Sequence, residues 1–402
     1  MKHWRFAGIA AACTAVLGVS AIVVPVIRAP SGFVRFDPLS ATFSSANEGW
    51  TLGRLEPCES TQHCASVQHT TDGGRTWRTA TAMTIPQQTQ ILRFANSRHG
   101  WALTPDALWS TQDGGATWRP VDNSVGRGPR SSTNTVDISG IELPGGTARF
   151  IEGTADGELA LFTGSAERDA WTKSATVEIN DYIDAPQIAA AHHANSAWFW
   201  VSGEQPAPVP PGTTTFPRPI RAVSGAELVD GRLRLWTPPC SGPDEHPVRA
   251  QAPSETQIFL TCASGPDHNR YRQLVSRDGG ATFADLDGPD SSRVSILSAA
   301  TTTDLVAEDP PNLLTSLDGG HSWMQTYQPS RERREDSFYL YRPAPGFITA
   351  TTGFIIEEKG WISDPVRPHH PRVSTLPATY DAGRTWAPVT FPAPQRNAEP
   401  VN

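Results

Sequence analysis

Thr70-Thr-Asp-Gly-Gly-Arg-Thr-Trp77 is one of five copies of a single octapeptide; the others run Thr111 to Trp118, Ser276 to Phe283, Ser316 to Trp323 and Thr379 to Trp386. The shared positions are Ser/Thr, any residue, Asp, Gly/Ala, Gly, any residue, Ser/Thr and an aromatic, a match too long to recur five times by chance. Asp bonds to backbone N–H groups just ahead of it, and glycine accepts positive φ at no steric cost, so Asp-Gly-Gly marks a turn. Polar and apolar residues alternate on either side, which reads as the two strands of a hairpin. The aromatic opening the last strand is large enough to fill a wedge between neighbouring sheets. On this reading Asp72, Trp77, Asp113, Trp118, Asp278, Phe283, Asp318, Trp323, Asp381 and Trp386 are structural. Five carboxylates on five separate hairpins do not converge on one substrate.

The spacing defines a repeat. Asp72 and Asp113 are 41 residues apart, Asp278 and Asp318 are 40 apart, and the 165 residues from Asp113 to Asp278 are close to four such periods. A period of roughly 40 to 50 residues with strand-like content is the signature of propeller blades, each a four-stranded sheet. Degenerate copies lie in the gap at Ser165-Ala-Glu-Arg-Asp-Ala-Trp171 and, more loosely, at Val229-Asp-Gly-Arg-Leu-Arg-Leu-Trp236. A second mark, an apolar strand opened by Gly-Trp or an equivalent, appears at Gly49-Trp50, Gly100-Trp101, Ala197 to Trp200, Gln257 to Leu260 and Gly360-Trp361. Together they delimit seven units near 40–80, 89–122, 136–176, 187–238, 248–286, 293–327 and 347–391, with six or eight left open by the two degenerate copies. The expected fold is all-β, a propeller of seven blades with four antiparallel strands each. The 36 prolines and 33 glycines punctuate the chain accordingly.

At the octapeptides the chain resembles the Asp-box family, also called bacterial neuraminidase repeats, whose blades carry the motif between their third and fourth strands. The resemblance covers most of the chain past residue 40. It implies the fold and says little about activity, since such propellers include sialidases and other glycoside hydrolases, sortilin receptors and non-enzymatic assembly factors. The order of strand, Gly-Trp strand, strand, box and strand is most similar to the photosystem II stability-factor group.

The N-terminus is separate. Lys2 and Arg5 precede an uncharged, largely apolar run from Phe6 to Ile27, 22 residues, closed by Arg28. That length crosses a bilayer as a helix; the alternative is a signal peptide cut after Val19-Ser-Ala21. A lipoprotein reading through Cys13 is weaker, because Ala10-Ala-Ala-Cys13 lacks the usual leucine. The expected organisation is a hydrophobic helix in 1–28 as anchor or signal, a linker over 29–39, the propeller over 40–391 and a flexible tail over 392–402. Each version places the propeller outside the cytoplasm. Apart from Cys13 the cysteines form two close pairs, Cys58 with Cys64 and Cys240 with Cys262, and two disulfides are expected. Their spacing does not suit a zinc site.

A formal charge of −8 with both signs scattered leaves no basic stripe for nucleic acid. The densest cluster, Arg331-Glu-Arg-Arg-Glu-Asp336, mixes signs and reads as a solvated loop. No cofactor or metal is implied, and the chain reads as a monomer. The N-terminal Phe/Tyr-Arg-Ile-Pro motif of sialidases is missing; the nearest fragments are Phe216-Pro-Arg-Pro219 and Tyr341-Arg-Pro343. Glu357-Glu358, His192-His193 and His369-His370 are sequence neighbours, and neighbours on a strand face opposite sides. Three irregular insertions remain, at Gln205–Pro219, Arg331–Pro345 and Asp364–Pro371, as tolerated loops or as a shared binding face. The preferred function is a non-catalytic, membrane-tethered propeller that binds a protein or a cell-envelope glycan; the alternative is a sialidase-like glycoside hydrolase or lectin.

Overall fold

The computed structural model describes residues 35–56, 65–104, 107–121, 135–137, 147–153, 158–165, 171–178, 184–194, 196–204, 220–240, 245–264, 270–286, 293–329, 337–361 and 373–392. Every described element is a strand. The first sheet is β1 (Arg35–Phe43), β2 (Gly49–Glu56), β3 (Ala65–Thr70) and β4 (Arg78–Thr79). The second is β5 (Ile91–Phe94), β6 (Gly100–Leu103), β7 (Leu108–Thr111) and β8 (Arg119–Pro120). The third is β9 (Thr135–Asp137), β10 (Thr147–Gly153), β11 (Glu158–Ser165) and β12 (Trp171–Glu178). The fourth is β13 (Asp184–His193), β14 (Ser196–Glu204), β15 (Ile220–Val229) and β16 (Arg232–Trp236). The fifth is β17 (His246–Gln251), β18 (Ile258–Ser264), β19 (Arg270–Ser276) and β20 (Ala284–Asp285). The sixth is β21 (Ser295–Ala299), β22 (Leu305–Asp309), β23 (Asn312–Ser316) and β24 (Met324–Tyr327). The seventh is β25 (Ser337–Phe347), β26 (Gly353–Trp361), β27 (Val373–Thr375), β28 (Pro377–Thr379) and β29 (Ala387–Pro388), with β27 and β28 both pairing with β26.

All pairings are antiparallel and, apart from β26 with β28, join chain neighbours, and the sheets stack face to face as a β-propeller. A separate apolar cluster fills each junction. Leu52 and Trp50 meet Leu92 and Phe94 between the first and second sheets, and Trp101 meets Phe162 and Trp171 between the second and third. The series continues to Leu313 and Val306 against Ile355 and Trp386 between the sixth and seventh. A last cluster, Ala41 and Trp77 with Phe354, Ile356 and Leu376, joins the seventh sheet to the first. Middle strands are therefore buried on both faces, which is why Gly100–Leu103 and Ile258–Cys262 lack polar alternation.

The seam between the last and first sheets shares no strand. Arg35 and Phe36 pair with Glu56 and Leu55 of β2, so β1 belongs to the first sheet from its first residue. The linker expected over 29–39 is corrected at its end: β1 starts at Arg35, because Phe36 and Asp37 are buried. Instead of strand exchange, aromatic side chains hold the seam. Phe43 stacks on Phe354 with ring centroids 4.7 Å apart, and Phe391, beyond the last strand, lies 4.6 Å from Phe36 and 5.5 Å from Trp77. Arg75 also stands over the Tyr380 ring at 4.5 Å.

Two further expectations change. Gly360-Trp361 closes β26 rather than opening it; the strand opens at Gly353-Phe354, where Gly353 lies opposite Phe347 as Gly49 lies opposite Phe43 and Gly100 opposite Phe94. A Cβ at Gly49, Gly100 or Gly353 would come within 2.5, 2.7 or 2.8 Å of that phenylalanine ring, so glycine is required by close approach. The insertion expected over 331–345 ends earlier, since β25 begins at Ser337. Among the described residues no helix is long and apolar enough to cross a membrane, and the run 6–27 lies outside them, as do Cys13, Cys58, Cys64, the Arg331–Asp336 cluster and His369-His370.

Replacing Phe391 with Ala should loosen the seam and lower stability by about 1–2 kcal/mol, given its half-buried ring and aromatic contacts. Chemical denaturation checks this; an unchanged midpoint would show that the segment after β29 does not hold the ring closed.

Candidate functional site

The octapeptide turn is built the same way five times, between β3 and β4, β7 and β8, β19 and β20, β23 and β24, and β28 and β29. In the first copy the Thr70 hydroxyl donates to Asp72 Oδ1 at 2.8 Å and accepts from the Gly74 amide at 2.9 Å. Asp72 Oδ1 also accepts from the Thr76 amide at 2.9 Å, and Oδ2 from the Thr76 hydroxyl at 2.6 Å. Asp113, Asp278, Asp318 and Asp381 repeat this pattern. Both oxygens of each aspartate are thus occupied inside its own turn.

These bonds favour the charged form. The Thr117 hydroxyl and amide hold Asp113 at about 2, as Thr282 does for Asp278 and Ser322 for Asp318. Burial works against Asp72, yet the bonds from Thr76 and Thr70 still bring it to about 2, and the same balance lowers Asp381. A carboxyl held so low is a poor general acid at neutral pH.

The first small residue of each turn docks by its amide on the turn between strands one and two of the same sheet. Gly73 N bonds Asn47 O, Gly114 N bonds Arg98 O, Gly279 N bonds Thr256 O, Gly319 N bonds Thr303 O and Ala382 N bonds Thr351 O, at 2.8 to 2.9 Å. Here φ is positive, and a Cβ would stand 3.3 and 3.4 Å from its nearest neighbour at Gly279 and Gly319 but 2.8 Å from Ser97 O at Gly114; the seventh sheet accepts Ala382 at φ 60. The second position is closed by the neighbouring sheet. A Cβ at Gly74 would lie 2.4 Å from the Phe354 ring, and one at Gly383 2.9 Å from Val306, each in the preceding sheet.

Three of the five box aromatics follow one rule, and the absence of a donor at a fourth is compensated. Trp77, Trp323 and Trp386 donate Nε1–H to the second glycine carbonyl of their own box at 2.9 to 3.1 Å, whereas Trp118 donates to Thr84 O at 2.6 Å. Phe283 has no N–H. In its place Trp236 of the fourth sheet donates to Gly280 O at 3.2 Å and Trp198 to Gly279 O at 3.3 Å. The fourth sheet has no box; its hairpin turns on Asp230 and Gly231 at φ 52 and 74, a type I′ turn. Cys240 and Cys262 form a disulfide with Cα atoms 5.7 Å apart, buried in the same junction between the fourth and fifth sheets.

A second repeat escaped the sequence reading. The hydroxyl or amide oxygen of Ser45, Asn96, Ser254, Thr301 or Thr349 accepts backbone amides in the first turn of each boxed sheet, four residues ahead of the second strand. The signal was a recurrent Ser, Thr or Asn four places before Gly49, Gly100, Ile258, Leu305 and Gly353.

Other polar groups gather toward the opposite strand ends. Glu357 and Glu358 face opposite sides of β26 and are both buried. Glu357 Oε2 accepts from Tyr327 Oη at 2.8 Å and Thr375 Oγ1 at 3.0 Å. Arg249 pairs with Glu308 and donates to Ser295 Oγ at 3.2 Å, linking the fifth sheet to the sixth. Tyr341-Arg342-Pro343 lies within β25, Arg342 opposite Ile356, while Phe216–Pro219 lies outside the described residues. His192 and His193, in contrast, end β13 opposite Ala197 and Ser196, at the turn between the first and second strands. Among the described residues no three His, Cys, Asp or Glu side chains form a metal-holding group.

No protein-family profile and no curated relative matches the chain. Solved structures do. One described as YCF48 bound to D1 peptide superposes with a TM-score of 0.51 at 16% identity, over 82% of this chain and 95% of that one. The BP39L lectin from Burkholderia pseudomallei gives 0.50 at 10% identity, over 89% of this chain and all of the lectin, 100%. At such identities the likeness is one of fold: this chain is a β-propeller.

Two outcomes follow from the boxes. An aspartate with a depressed folded-state pKa contributes stability above its ordinary value of 3.8 that is lost as pH falls through about 2. Asp278→Asn should therefore melt lower at neutral pH and show a shallower decline below pH 3.8, as measured by thermal denaturation across pH. Trp236→Phe should cost about 1–3 kcal/mol by leaving the Gly280 carbonyl unpaired. Adding Phe283→Trp should recover part of that loss, read by a double-mutant cycle.

Proposed function

We propose that this chain is a seven-bladed Asp-box propeller, held outside the cytoplasm by residues 6–27 as an uncleaved anchor, that serves as a non-catalytic scaffold for a protein partner. One observation carries the reading. The strands that flank the three irregular insertions, β14 and β15, β24 and β25, and β26 and β27, meet them with the strand ends that lie opposite the box turns. The box end is committed to its own hydrogen bonds, so recognition belongs to the other end. The Cys240–Cys262 disulfide suits an oxidising compartment. A propeller of similar fold is described as bound to a peptide, which agrees with a protein partner.

A glycan-directed reading, as lectin or glycoside hydrolase, has the Tyr327–Glu357 pair in its favour. Against it, Glu357 is buried and the Tyr327 and Thr375 hydroxyls share one of its oxygens, an arrangement that satisfies a junction between sheets.

Deleting 206–217 should leave the melting temperature nearly unchanged and abolish recovery of the partner when the full chain is cross-linked and purified from membranes. Loss of folding, or unchanged recovery, would count against this end as the binding face.

A further inference from the structure

We propose that the outer edge of β16 docks an extended peptide segment of a partner protein, which adds to the fourth sheet as a fifth strand. This site is distinct from the loop-bearing end. In the five boxed sheets the outermost strand is short: two residues in β4, β8, β20 and β29, and four in β24. Such shortness blunts an edge against pairing. The third and fourth sheets keep outer strands of eight and five residues, β12 and β16, each terminal in its sheet.

Of these two edges β12 is guarded. Its register with β11 breaks between Leu161 and Phe162, and a bulge discourages strand addition. The register of β16 with β15 is unbroken from Arg232 opposite Val229 to Trp236 opposite Gly225.

Parity then fixes which groups are offered. A two-residue turn makes Val229 and Arg232 exchange both backbone bonds, so Arg232, Arg234 and Trp236 bond inward to β15. The N–H and C=O groups of Leu233 and Leu235 point outward, the pattern to which an added strand pairs.

Side chains supply the selectivity. Leu235 is 56% exposed, more than the other large hydrophobics exposed among the described residues, Met324 and Tyr380. On the other face Arg234 is bound by Glu227 at 2.6 Å, whereas Arg232 is exposed and makes no ion pair among the described residues. The matching segment alternates apolar residues, covering Leu235, with an acidic residue beside Arg232.

The test uses two synthetic heptapeptides, acetyl-Thr-Val-Glu-Val-Glu-Val-Thr-amide and its lysine counterpart, with the intact propeller. Hydrogen exchange should slow at the Leu233 and Leu235 amides when millimolar glutamate peptide is added, and the lysine peptide should bind about two- to fivefold more weakly. Arg232→Glu should reverse that preference. Leu235→Pro removes an outward N–H without breaking a bond to β15, so it should abolish binding at an unchanged melting temperature. Slowed exchange at other edges only, no slowing at all, or equal binding by Leu235→Pro would overturn the proposal. None of these results bears on partner recovery through 206–217, so the two readings fail separately.

Discussion

The hydroxyl at the head of each octapeptide is the smallest feature on which the rest depends. By donating to the aspartate and accepting the second glycine's amide, as Thr70 does at 2.8 and 2.9 Å, it pulls four residues into a turn with at most a methyl group at its apex. Only such a bare turn brings Gly74 against Phe354 of the neighbouring sheet, and with it Trp77 into the wedge. The aspartate locks the same turn from the other side through Thr76. Inter-sheet packing is thus the consequence of a local hydrogen-bond pattern, and the carboxylate's low pKa is a by-product of it.

A second constraint concerns inner edges. The first strand of each sheet has one unpaired side, and a buried N–H without a partner is costly. Hydroxyls from the preceding sheet supply acceptors. Ser40 Oγ lies 3.4 Å from Leu92 N, Thr42 Oγ1 3.3 Å from Phe94 N, and Ser298 Oγ 3.2 Å from Phe347 N. These bonds also show β1 and β5 running in the same direction, since residues two apart on one meet residues two apart on the other. Polar side chains on otherwise apolar inner strands are accordingly part of how the ring is assembled.

The fold was legible because its signal is local: Asp, two small residues and an aromatic specify the turn without reference to anything distant. What depended on partners far along the chain was not legible. Gly360-Trp361 carries the right dipeptide, but only register shows that Gly353 is the residue under a phenylalanine ring. Phe36 reads as linker until Phe391, 355 positions later, is seen beside it. The buried acids Glu308 and Glu357 stand in strands whose neighbours are apolar, a departure from pattern visible in the sequence, yet their partners Arg249 and Tyr327 come from adjacent sheets. Adjacent-residue logic correctly separated Glu357 from Glu358 and could not predict that both faces are covered.

The distribution of boxes around the ring then has a physical meaning. The fifth, sixth, seventh, first and second sheets carry them in one unbroken arc, and the third and fourth, side by side, do not. Where the box is missing, other devices hold the junction to the fifth sheet: Trp198 and Trp236 reach the Gly279 and Gly280 carbonyls, and Cys240–Cys262 ties the exit of the fourth sheet to β18. The substitution is not neutral. A box spends the residues after the third strand on a turn and an anchored aromatic, which leaves little chain to continue as a fourth strand. A two-residue hairpin such as Asp230-Gly231 lets the fourth strand run on in register. Tight turns and open edges are therefore alternatives at the same place in the sheet, and this chain has taken the second alternative on one side of its ring only.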